Sequence, residues 1–97
     1  MSDYSPSRIA EIEIRARETL IQFLRADLDL AFTFLETAEI EIGKDNDHAK
    51  AAVEKAAAAL NTVRRLQDRI EDLTESEKIQ YRANELEAAI RDFGKSD

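Results

Sequence analysis

Residues 14–42 read IRARETLIQFLRADLDLAFTFLETAEIEI, and in them Ile14, Ile21, Leu28, Leu35 and Ile42 recur every seven residues, with Leu24, Ala31 and Ala38 filling the three-residue step. Apolar residues repeating at that interval share one face of a helix, so the stretch predicts a packed helical seam. A second apolar row, Ile9, Ala16, Phe23 and Leu30, runs beside it, with Leu20 and Phe34 set between. One helix with two such rows can bury itself against two neighbours, and a third helical wall is expected.

The remaining composition agrees with that reading. A chain of 97 residues with 43% hydrophobic content can form one modest core. One proline and two glycines leave little material for loops, which suits long helices joined by brief turns. The expected fold is all-α, an antiparallel three-helix bundle with a long first helix. Residues 1–7, which include Pro6, are expected to be a flexible lead-in, residues 8–94 a single helical-bundle domain, and residues 95–97 a frayed end.

Boundaries follow from capping chemistry. The first helix is expected from about Arg8 to Ile42, because no breaker interrupts it; Gly43 then supplies the left-handed conformation that closes a helix. Asp45, Asn46 and Asp47 can accept hydrogen bonds from the free N–H groups of a second helix, expected to run to about Asp72. Its inward row is Ala49, Ala52, Val53, Ala56, Ala59, Leu60, Val63, Leu66, Ile70 and Leu73. Thr74 followed by Glu77 has capping-box spacing and announces a third helix, whose inward row is Ile79, Ala83, Leu86, Ala89, Ile90 and Phe93 and which Gly94 is expected to end. At about 1.5 Å per residue the second helix should reach back to the level of Arg17. Ile9, Ile12 and Ile14 would then project beyond the bundle.

The composition also bounds function. A formal charge of −7 opposes sequence-independent nucleic-acid binding, which draws on a surplus of Lys and Arg. No apolar run has membrane-spanning length, no basic and apolar leader opens the chain, and there is no cysteine for disulfides or thiolate chemistry. A cytoplasmic protein with neither nucleic-acid nor membrane partners is expected, and no cofactor or metal is expected. His48, three residues after Asp45, has a spacing two metal ligands could share, but helix capping by Asp45 accounts for the pair. The calcium-loop pattern fails, with Lys50 where its glycine belongs and Ala56 where its last glutamate belongs.

Asp27 is the notable acid, since it interrupts the apolar face of the first helix. An unpaired buried carboxylate is costly, and a parallel third helix would bring Arg82 to its level, so Asp27 and Arg82 are expected to form a structural ion pair. Phe32, Ile40 and Tyr81 fall outside the inward rows and, with Ile9, Ile12 and Ile14, make up a candidate interaction surface. Charge is segregated as well. Asp27, Asp29, Glu36, Glu39 and Glu41 occupy half of the first helix with no cation among them, whereas Arg15, Arg17 and Arg25 lie toward its other end. Antiparallel pairing of two such helices would set acid beside base, so a homodimer through the first helix is expected.

The alanine-rich antiparallel packing of residues 28–93 resembles tetratricopeptide-type hairpins and microtubule-interacting-and-transport domains, with Ala49, Val53 and Ala56 on the small and apolar positions of the second helix. The Trp, Gly and Tyr positions of the tetratricopeptide first helix fall on Thr33, Thr37 and Ile40, and no binding residue is carried over. That resemblance implies a module that binds peptides or helices between its own helices. A protein–protein interaction or scaffolding module that self-associates is therefore the expected function. The alternative is a small-molecule enzyme built on an all-helical dimer, as in the helical chorismate mutases; Arg15, Arg25 and Lys44 do not assemble into their cationic cluster, and nothing matches their late Gln.

Overall fold

A computed structural model describes residues 6–95 of the chain, and among them the order is α1 (Pro6–Glu41), α2 (Asn46–Leu66), a 3-10 turn (Gln67–Arg69) and α3 (Leu73–Lys95). No strand occurs among the described residues. The helices form an all-α three-helix bundle. α2 runs antiparallel to α1, and α3 returns alongside both. Of the expected lead-in over residues 1–7 and frayed end over residues 95–97, positions 1–5 and 96–97 lie outside the described residues, while positions 6–7 belong to α1 and position 95 to α3.

α1 is one unbroken helix, and it begins at Pro6 rather than at Arg8. Proline suits a first helical position, where its missing N–H has no intrahelical acceptor to satisfy. Gly43, at φ +84°, closes α1, and its N–H donates to Asn46 Oδ1 at 2.8 Å. Asp45 then caps α2 by accepting from the His48 N–H at 3.0 Å. That bond is the structural role of the Asp45 and His48 spacing.

Two boundaries differ from the sequence expectation. α2 ends at Leu66, passes through the 3-10 turn and becomes extended at Ile70, rather than continuing to Asp72. The cap of α3 is Asp72, whose Oδ1 accepts from the Glu75 N–H at 3.1 Å, so Thr74 is a first-turn residue and not the cap. Asp72 and Glu75 themselves stand at the spacing of a capping box, two residues upstream of the Thr74 and Glu77 pattern. Gly94 does not stop α3, which continues to Lys95.

The core is the heptad seam of α1 facing the alanine row of α2. Leu24, Leu28 and Ala31 are fully buried, with Ala56, Val63, Ala83 and Leu86 opposite them. A second small cluster, Ala38, Ala49 and Ala52, closes the end near the first turn, with Phe34, Val53 and Phe93 packed against it. Leu73 departs from the expected inward row: it is 78% exposed, because the chain is already extended before it and α3 starts on a different face.

Ion pairs tie the layers together at the surface. Arg64 of α2 donates to Asn84 Oδ1 at 2.8 Å and lies 3.2 Å from Glu87 of α3. Arg25 of α1 meets Glu75 at the start of α3, and Arg17 lies 3.0 Å from Glu71. The last of these places the link between α2 and α3 at the level of Arg17. All residues from Arg8 to Thr19 are exposed.

Candidate functional site

The Asp27 and Arg82 pair is replaced by a neighbouring one. Arg82 donates to Asp29 Oδ1 at 2.7 Å, and its guanidinium lies over the Phe32 ring, 5.5 Å from the centroid. Asp29 and Phe32 are three residues apart on α1, so one arginine of α3 grips two adjacent side chains. Helix register decides the difference: α3 packs on the flank of α1 that carries Arg25, Asp29 and Phe32, and Asp27 lies two residues, about 200° around the helix, from Asp29. Asp27 is half-buried. Phe32 is likewise half-buried and packed on the core, which removes it from the candidate surface.

The other candidates are exposed. Ile9, Ile12 and Ile14 project from the start of α1, Ile40 lies 63% exposed near its end, and Tyr81 is 67% exposed on α3. Ile14 borders a shallow cleft with Ile21, Arg17 and Glu71, on the core side of the helix. Tyr81 borders an open groove between α1 and α3 with Arg25, Ile79, Lys78 and Arg82. Both arginines there are already engaged, Arg25 by Glu75 and Arg82 by Asp29, which orients their charge toward the protein's own carboxylates. No group of three or more potential metal ligands occurs among the described residues.

The second apolar row behaves differently from its sequence reading. Leu20 and Phe34 do pack on the core, and Lys55 lies over Phe34 at 5.6 Å. Phe23 and Leu30, by contrast, are 48% and 49% exposed, because α2 and α3 together cover only one side of α1. The third helical wall is present as α3, but neither α2 nor α3 lies over Phe23 and Leu30.

With that face open, its periodicity can be read on the helix itself. Ile9, Ala16, Phe23, Leu30 and Thr37 stand seven apart, and Ile12, Thr19, Ala26, Thr33 and Ile40 interleave them at alternate steps of three and four. This is an a/d heptad spacing free of charge, with threonine at three of its positions, Thr19, Thr33 and Thr37, and it lies away from the core seam of α1. None of the ten residues is charged, in a chain where 36% are, so the charge-free stripe is a feature of patterning and not of general composition. Nine of the ten are exposed and Thr37 is half-buried. The Thr33 hydroxyl donates to the Asp29 carbonyl at 3.0 Å and the Thr37 hydroxyl to the Thr33 carbonyl at 3.1 Å, so these hydroxyls are satisfied within the helix. Sequence reading missed the d positions because threonine and alanine are weak apolar markers.

No helix among the described residues is long and apolar enough to cross a membrane. Comparison with known proteins gives no likeness to set beside this geometry: no family model, no curated protein and no solved structure matches the chain.

Proposed function

We propose that this chain is a small acidic interaction or scaffolding module that self-associates through the outer face of α1. The observation that carries the reading is the charge-free heptad stripe from Ile9 to Ile40, left open in a bundle whose other apolar seam is filled. Exposed apolar residues scattered singly are ordinary, but a stripe sustained over more than four heptads is the pattern of a helix that packs on another helix. The location of the stripe also bears on the tetratricopeptide-like reading. Modules of that type would bind between their helices, whereas the apolar surface here lies outside them, on the back of α1.

Replacing Phe23 or Leu30 by glutamate tests this reading, because each is half exposed in the single chain and central in the proposed contact. Circular dichroism of Phe23→Glu and Leu30→Glu should retain the helical signal, while sedimentation velocity should show the wild-type assembly falling to monomer. Self-association unchanged in both variants would reject the outer face of α1 as the contact.

A further inference from the structure

We infer that the second copy docks antiparallel on α1 in one defined register, with Ile9 of one chain opposite Ile40 of the other. The inference rests on the self-association proposed above and adds the geometry of the contact. In an antiparallel pair, each a position faces a partner d position, and the register that uses the whole stripe is the one that joins its two ends. Phe23 then packs on the partner's Ala26, Leu30 on the partner's Thr19, and Ile12 on the partner's Thr37. Bulky side chains meet small ones in these layers. In a parallel pair each residue would face its own copy, crowding Phe23 against Phe23 and leaving voids where Ala16 meets Ala16 and Ala26 meets Ala26.

Charge selects the same arrangement. The residues flanking the stripe on one side include Arg15, Gln22, Asp29 and Glu36. The Ile9 to Ile40 register brings Arg15 beside the partner's Glu36, and Gln22 beside the partner's Asp29. Within the single chain Arg15 pairs with Glu11 on its own exposed helix face, at 3.0 Å. Sliding the pair by one heptad, so that Ile9 meets the partner's Thr33, would keep Arg15 beside a partner carboxylate, Asp29, but would set Glu13 beside the partner's Asp27 and leave Ile40 uncovered, whereas parallel pairing would set Glu36 beside the partner's Glu41. The helix dipole adds a further bias: the last turn of α1 carries no basic residue to offset its negative end. An antiparallel partner places a positive helix N-terminus there. Because the a/d spacing averages 3.5 residues, the two helices should wrap with a left-handed supercoil.

The native chain has no cysteine, so introduced thiols report unambiguously. Ile9→Cys and Ile40→Cys chains are mixed at equal concentration, oxidised mildly and resolved by mass spectrometry, with Glu39→Cys, outside the stripe, as the collision control. The expected result is a covalent heterodimer joining positions 9 and 40, formed faster than any product of the control. Self-linking of Ile9→Cys would overturn the orientation, and linking to Thr33→Cys instead would overturn the register. A dimer by sedimentation with no linkage above the control would place the contact on another face. A monomer by sedimentation would overturn the self-association reading as well.

Discussion

Arg82 reaches from α3 to Asp29 on α1, with 2.7 Å between nitrogen and oxygen, while its guanidinium covers the Phe32 ring of the same helix. This double grip ties α3 to one flank of α1 beside the core that holds Leu28, Ile79 and Ala83. The side chains are 36% and 69% exposed, so water screens the pair and its contribution is modest.

A double-mutant cycle on Arg82 and Asp29, followed by chemical denaturation, should give a coupling of about 0.2–1 kcal/mol. The same cycle on Arg82 and Asp27 should be additive. Coupling to Asp27 and none to Asp29 would show a different rotation of α3 in solution.

Asp72→Ala should lower stability by about 1 kcal/mol, since it removes the acceptor for the Glu75 N–H at the start of α3. Thr74→Ala, in the first turn, should stay within about 0.5 kcal/mol of wild type. Equal losses in thermal melts of the two variants would return the cap to Thr74.

The two glycines should respond in opposite directions. Gly43 holds φ +84°, so Gly43→Ala forces a side chain into the left-handed region and should cost about 1–2 kcal/mol, although the space beside it is empty. Gly94 lies inside α3 with open space around it, and Gly94→Ala should be neutral or stabilise by up to about 1 kcal/mol. Melting temperatures of the two variants check the contrast.

Leu28 is fully buried at the centre of the seam, and Leu28→Ala should cost about 2–5 kcal/mol through the cavity it leaves. Ile12→Ala, on the projecting part of α1, should leave the stability of the single chain nearly unchanged and act on association instead. A large loss of stability for Ile12→Ala at concentrations where the chain is monomeric would mean that the overhang folds back onto its own bundle.

What the sequence makes legible is governed by how much each signal depends on tertiary context. The seam of Leu24, Leu28, Ala31 and Leu35 and the stop at Gly43 are local, and they stand in the structure as read. The end of α2 was not legible, because no proline or glycine lies near Leu66 and the switch to an extended link at Ile70 serves the packing of that residue on the core. Asp27 and Asp29 are two residues apart, and only the angular placement of α3 decides which one Arg82 meets. Phe23 and Leu30 read as inward by periodicity alone. Periodicity reports that a face is apolar, not whether the chain itself has a helix left to cover it.

Static light scattering of the protein at micromolar concentration decides whether the outer face of α1 is a second seam, covered by another copy of the chain. Self-association through that face should give twice the monomer mass, falling to the monomer mass when Leu30 is replaced by glutamate. A monomer mass for the intact wild-type chain would contradict it.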